Sequence, residues 1–365
     1  MDFCDVIDKE KCTGCMACKN ACPRNVITVV EDEKTGFLYP KINNNYCTTC
    51  GICKRVCPVE NKLDENLNEI EVYACKNKDE KVRLESSSGG IFTLISNYIL
   101  ENNGVVFGAK FNEKFEVIHD CTENKEGLAE FRGSKYLQSK IGNSYKKVRD
   151  FLEKGRLVLF TGTPCQVEGL LTFLRKDYDN LYTQDIICHG VPSPKVWKKY
   201  LQYKIEKYKE IPKKVNFRKK EIMGWNSYHV SFKFSNSEEN VHYVNDPYMK
   251  LFLKNIDLRE TCYSCNFKRE NRKSDITVAD FWGINKVRPE MNDEKGTSAI
   301  LINSRKGKRL FEKIINEIDY TRENIEDIKR YNPSFVKSSI KDERREEFFI
   351  DLENISFEEL MEKYL

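Results

Sequence analysis

Cys12-Thr13-Gly14-Cys15-Met16-Ala17-Cys18-Lys19-Asn20-Ala21-Cys22-Pro23 decides how the beginning of this chain folds, because Cys47-Thr48-Thr49-Cys50-Gly51-Ile52-Cys53-Lys54-Arg55-Val56-Cys57-Pro58 repeats its frame 35 residues later. Three thiolates at two-residue gaps let a tight loop wrap one iron–sulfur cubane, while the fourth cysteine lies too far along to close the same cage and serves the other cluster. On that rule Cys12, Cys15, Cys18 and Cys57 hold one 4Fe–4S cluster, and Cys47, Cys50, Cys53 and Cys22 hold a second. Each proline ends its loop with a fixed backbone angle and no amide donor. Zinc knuckles or disulfides are the alternatives, but zinc sites supply paired C-x-x-C units rather than this run.

Working outward, 365 residues allow two or three domains with more than one core. Fifteen cysteines would suit a disulfide framework in a secreted protein, yet Met1 to Asp5 offer neither a basic nor an apolar leader region. The longest apolar stretches, around 91–100 and 157–160, are too short to span a bilayer, so no membrane insertion is expected. The expectation is a cytoplasmic protein whose clustered thiols bind metal. A formal charge of +4, from 61 basic and 57 acidic residues, points to no nucleic acid and no anionic membrane.

Residues 1–66 form the cluster module, with Val26–Val30 and Phe37–Tyr39 as a hairpin and a polar linker at 60–69. After a strand at 72–76, Ser86-Ser87-Ser88-Gly89-Gly90 precedes Ile91, Leu94, Ile95, Tyr98 and Ile99 at helical spacing. Such a stretch either offers an anion site at a helix N-terminus or merely caps the helix. Residues 105–111 and 115–119 read as a hairpin, and Gly133-Ser134-Lys135-Tyr136 as a loop. Lys135 is a candidate contact for a cofactor phosphate or flavin carbonyl, against the default of a solvated lysine.

Leu157–Phe160 is a buried strand, followed by Thr161-Gly162-Thr163-Pro164-Cys165-Gln166 and a helix continuing through Val167, Leu170, Leu171 and Leu174. Leu181–Ile187 is another strand, ending in Cys188-His189-Gly190. If the two strands are parallel neighbours, Cys165 and Cys188 emerge at one sheet edge. A helix over about 194–207, strands at 215–218 and 228–234, Cys262-Tyr263-Ser264-Cys265, strands at 275–279 and 298–303, and charged helices beyond 306 complete the reading. No site chemistry is assigned to the last fifty or so residues.

Outside the double run remain Cys4, Cys75, Cys121, Cys165, Cys188, Cys262 and Cys265. The last four make a candidate third 4Fe–4S site, with structural zinc as one rival. A second rival makes Cys165, at a helix N-terminus, a nucleophile paired with His189. Cys4, Cys75 and Cys121 read as packed thiols, and His119, His229 and His242 as structural.

The motifs Ser87-Ser88-Gly89-Gly90, Gly133-Ser134-Lys135-Tyr136, Thr161-Gly162-Thr163-Pro164-Cys165-Gln166, Cys188-His189-Gly190, Cys262-x-x-Cys265 and Ala279-Asp280-Phe281-Trp282-Gly283, in this order, resemble the coenzyme F420 hydrogenase/dehydrogenase β-subunit family. The N-terminal runs resemble the ferredoxin module fused to many of its bacterial members. The resemblance implies an α+β or α/β chain: a dicluster ferredoxin module (1–66), N-terminal and C-terminal family regions that bind flavin and a cluster (67–150 and 151–310), and a charged helical tail (311–365). It implies an oxidoreductase passing electrons between a hydride-type small molecule at FAD and a chain of 4Fe–4S clusters, with a ferredoxin or other redox protein as partner. Cys165, Cys188, Cys262 and Cys265 would hold the third cluster. Ser87, Ser88, Gly89, Gly90, Ser134, Lys135, Thr161, Gly162 and Thr163 would contact FAD. No G-x-G-x-x-G is present, so the flavin site is not of the Rossmann kind. The alternative is a flavin-free carrier or adaptor subunit docking to a partner enzyme.

Overall fold

The computed structural model describes residues 6–61, 63 and 69–365. Cys4 and most of the expected linker lie outside the described residues. In the N-terminal module each cysteine loop runs into one turn of helix, Ala17–Ala21 and Ile52–Arg55. Between them β1 (Ile27–Glu31) and β2 (Leu38–Ile42) pair antiparallel with Ile27 opposite Ile42. Gly36 makes the return with φ +74°, where Lys195 packs so closely that a side chain would collide.

Among the described residues the larger part is built on an eight-stranded mixed sheet. Its strands are β3 (Glu71–Asn77), β4 (Val105–Phe111), β5 (Val117–Thr122), β6 (Val158–Thr161) and β7 (Leu181–Ile186), and, after a second sheet, β11 (Ile276–Asp280), β12 (Ser298–Ile302) and β13 (Ile318–Glu323). The order is β13-β3-β12-β11-β7-β6-β4-β5. The centre, β4-β6-β7-β11, is parallel, and the flanking pairs are antiparallel. Val105, Phe107, Val158 and Phe160 pack with helices Ser144–Glu153 and Pro164–Leu174, whereas the alternate residues Val106 and Leu159 pack with helices Ile91–Glu101 and Arg305–Ile314. That period of two is what a sheet covered on both faces requires.

The second sheet, β8 (Lys214–Lys219), β9 (His229–Lys233) and β10 (Glu238–His242), is antiparallel. It shares an aromatic core with helix Pro194–Tyr208 and the C-terminal helices Arg345–Asn354 and Phe357–Tyr364. Phe348, Phe349, Leu352, Phe357, Leu360 and Tyr364 are all buried there.

The structure differs from the expected division at two places. The sheet crosses the boundary drawn at 150, since β4 before it pairs directly with β6 after it. The stretch expected to be a helical tail contains β13, which pairs with β3 from Val72 to Asn77 and closes that edge. Its charged residues Asp319, Arg322 and Glu323 hide an edge strand anchored by buried Ile318.

Candidate functional site

Cys12, Cys15, Cys18 and Cys57 line one narrow cavity walled by Val6, Met16, Ala17 and Val59. Cys22, Cys47, Cys50 and Cys53 line a separate, open trough. The fourth cysteine of each run therefore lies with the first three of the other, the exchange the spacing predicts. Burial pushes the Cys15 thiol up to about 12, with Cys57 and Cys12 adding to the rise, and it raises Cys18 and Cys57 as well. The Ala17 and Lys19 amides that approach Cys15 and Cys18 favour their thiolate forms. Buried thiols of this kind become thiolates when a metal replaces their protons.

A third thiol group forms where the parallel strands end. Pro164 opens the helix after β6, Thr163 and Gln166 close a capping box around its first turn, and Cys165 lies in that turn. Cys188 follows β7, while Cys262 and Cys265 come from the short 3₁₀ turn Glu260–Ser264 and its end. The four lie close enough that Cys265 and Cys188 raise the pKa of Cys165, and Cys188 and Cys265 that of Cys262. Burial is the larger cause for each, taking Cys188 to about 11 and Cys262 to about 12. Lys268, whose Nζ donates to the His189 carbonyl at 2.8 Å, places its charge beside Cys188, Cys265 and Cys262.

The nucleophile alternative for Cys165 does not fit. Burial raises the thiol instead of lowering it, and His189 Nε2 is bonded to Asn255 at 2.6 Å, with Nδ1 facing Ser334 at 3.4 Å. Among the described residues, no group of three or more His, Cys, Asp or Glu gathers tightly enough to hold a single ion.

Helix Pro164–Leu174 joins two of these groups. One turn beyond Cys165, a Cβ on Gly169 would lie 2.9 Å from Cys15 Sγ, so only glycine lets the N-terminal module seat here. Thr172 then donates to the Val56 carbonyl at 2.8 Å. Arg259 completes the attachment. Its Nε donates to the Cys12 carbonyl at 2.6 Å and its Nη2 to Leu38 at 3.1 Å, while the guanidinium lies over Tyr39 at 4.2 Å and Phe37 at 5.3 Å.

Beside these groups opens a pocket of about 590 Å³. Ser87, Ser88, Gly90, Ser134, Lys135, Thr161, Gly162 and Thr163 all line it, and so do Cys165, Cys188, Thr13 and Gly14. Gly89 does not line it. Its amide donates to Ser298 Oγ, and a Cβ there would strike the Cys75 carbonyl at 2.5 Å, so this glycine serves the packing of β3 against β12. The serines do not cap the following helix either: its N-cap is Gly90, with no side-chain cap. Instead the Ser134 amide and hydroxyl both donate to Ser87 Oγ, at 2.7 and 2.9 Å, tying the two loops together at the pocket wall.

Lys135 is not the solvated lysine of the default reading. Its Nζ donates to the Phe131, Arg132 and Gly133 carbonyls at 3.0–3.2 Å, and burial lowers its pKa to about 7.

Several pocket residues carried no signal of their own in the sequence. His119, read as structural, lines the wall between Ser139 and the Thr161 carbonyl, at 2.6 and 3.0 Å, and burial holds it neutral with a pKa of about 4. Arg218 on β8 pairs with both Asp280 oxygens at 2.9 and 3.2 Å, and lies 4.1 Å from the Tyr228 ring and 5.4 Å from that of Trp282. Trp282 in turn stacks on Trp225 at 5.0 Å. Asp280 and Trp282 stand inside a quoted motif, whereas Arg218 on β8 and Tyr228 just before β9 come from the other sheet and have none.

Fold and thiol groups together define an iron–sulfur electron-transfer protein whose dicluster module is built onto a pocketed α/β body. Residues 11–61 match the 4Fe-4S dicluster domain, and residues 155–328 match the model for the C-terminal part of the coenzyme F420 hydrogenase/dehydrogenase beta subunit. The chain thus carries a region similar to the C-terminal part of this β subunit and a dicluster domain at its N-terminus. A chain of the F420-reducing [NiFe] hydrogenase complex from Methanosarcina barkeri, solved as a xenon derivative, is similar in fold. The TM-score is 0.51 at 15% identity, over 75% of this chain and 90% of that one. No curated protein matches the sequence. Among the described residues no helix is long and apolar enough to cross a membrane.

Proposed function

We propose that this chain is a flavin-dependent oxidoreductase, exchanging electrons between a hydride-type small molecule at FAD and three 4Fe–4S clusters. The observation that carries the reading is that one pocket is walled both by the serine and lysine loops and by Cys165 and Cys188, with Thr13 and Gly14 of the N-terminal module at its side. A volume of about 590 Å³ lies within the range of cofactor sites, and its lining has the required mixture of apolar walls and a few polar groups. A buried Arg218 Nε without a partner fits a ligand oxygen or nitrogen in the same wall. When bound, a flavin supplies the conversion between a two-electron hydride and single electrons.

The chain's own residues orient and tune that group. Ser87 and Ser134 fix the loop that presents Lys135, whose amine holds or yields a proton near neutrality beside the cofactor. His119 keeps its ring neutral, and Arg218, paired with Asp280, donates to the Ser87 carbonyl and the Tyr136 hydroxyl beside the same loops. Cys165, Cys188, Cys262 and Cys265 would hold the proximal cluster. Two clusters already predicted on the same chain favour iron over zinc in this site.

Anaerobic metal, sulfide and flavin analysis tests the proposal. Iron near about twelve atoms per chain with released FAD is the expected result, whereas about eight with one zinc removes the third cluster. Protein that releases no FAD or FMN, and takes up none on reconstitution, refutes the flavin reading and leaves the carrier or adaptor function.

A further inference from the structure

The Cys22, Cys47, Cys50 and Cys53 site is the only one of the three thiol groups, among the described residues, to reach the surface through an exposed cysteine, Cys50. The stretch over it is exposed and uncharged: Asn43, Asn44, Asn45, Thr48 and Thr49, with Tyr46 keeping 64% of its surface in solvent. Along 8–11 the trough wall is mixed in sign: Lys11 pairs with Asp8, Lys9 with Asp32, and Glu10 is exposed. Arg24 and Lys54 also line the trough, and Arg55 reaches back to Gly51; all three are exposed and have no ion pair among the described residues. From 41 to 57 the chain has Lys41, Lys54 and Arg55 and no acidic residue.

We propose that this face is the docking surface for an acidic one-electron carrier protein. A neutral centre with a protruding aromatic ring costs little to desolvate, and a rim of net positive charge steers a partner of opposite charge onto it. A carrier seated there is in contact with the loop that holds Cys47 and Cys50, which gives the electrons a short way out. The inference deepens the proposed function by naming the class of partner, and it rests on that reading only for the two N-terminal clusters.

The test uses cluster-loaded, full-length protein and two probes, an acidic 2[4Fe–4S] ferredoxin and basic cytochrome c. Dissociation constants are measured by titration at two salt concentrations, and electron transfer by stopped flow after loading the clusters directly with substoichiometric dithionite. No flavin or hydride donor is needed, so failure of the flavin reading leaves this test intact. The wild type should bind the acidic carrier, with about tenfold or greater weakening on going to high salt. R24E/K54E/R55E should weaken binding by about 30-fold or more and speed the reaction with cytochrome c. If the reversal variant loses its cluster absorbance, R24Q/K54Q/R55Q replaces it, with a smaller change of the same sign expected. Binding of the acidic carrier that stays within about twofold on charge removal, or is indifferent to salt, overturns the proposal.

Discussion

Lys135 offers a direct check on the pocket, with pH as the perturbation. Its amine has an ordinary pKa of 10.5 and is lowered to about 7 by burial. At pH 8 an amine of pKa about 7 is about 90% neutral, against about 0.3% at the ordinary value, so the reactive form is enriched about 300-fold. Pulse labelling with a small acylating reagent between pH 6 and 10, read by peptide mass spectrometry, should show Lys135 reacting with a midpoint near 7 while surface lysines rise towards 10. Added FAD should protect it.

The same shift fixes a sign for stability. Between pH 7 and 10.5 the unfolded chain holds the proton that the folded chain has released, so stability grows as pH rises through this window and is lost as pH falls towards 7. The full shift caps that contribution at about 5 kcal/mol, less whatever water in the pocket screens. Lys135→Met should flatten this slope. A labelling midpoint above about 9, or unchanged labelling with FAD present, would refute the reasoning.

Gly169→Ala places a methyl group against Cys15 Sγ and should destabilise the fold by about 1–3 kcal/mol, with an altered electron paramagnetic resonance spectrum of the reduced clusters. Arg259→Met removes two charged hydrogen bonds and a stacked cation, about 3–5 kcal/mol in all, and limited proteolysis should then free the N-terminal module that the wild type retains. Asp280→Asn strips the buried Arg218 of its counter-charge, and chemical denaturation should register a loss of about 3–5 kcal/mol; a loss below about 1 kcal/mol would show the pair to be screened by solvent. Cys262→Ser should lower bound iron by about four atoms per chain and leave the signals of the two N-terminal clusters in place.

The cysteine runs and the strand–turn–helix at 157–174 could be read from the sequence because their chemistry is local: ligand spacing in the one, an apolar run ending in a capped helix in the other. Even the approach of Cys165 and Cys188 followed from the handedness of a single crossover between β6 and β7, which the structure joins as parallel neighbours. What sequence could not give was assembled over distance. Arg218 and Asp280 meet across 62 residues, and nothing local to either marks the pairing. Lys135 was ambiguous because three carbonyls of its own loop, and not any motif, decide its burial. Gly89 shows the reverse error: a glycine beside serines suggested room for a ligand, while the space was already taken by Cys75 and Ser298. The β13 edge strand was hidden by charge, since only its Ile318 end is sealed into the core.

Arg259, the Ser193 hydroxyl on the Thr35 carbonyl, and Gln138 accepting from the Leu38 amide fasten the N-terminal module at separate points along its length. A module riveted this way is part of a fixed wire and not a swinging arm. Its internal conduction should therefore be indifferent to added glycerol or sucrose, and thickening the solvent should slow only the meeting with a partner.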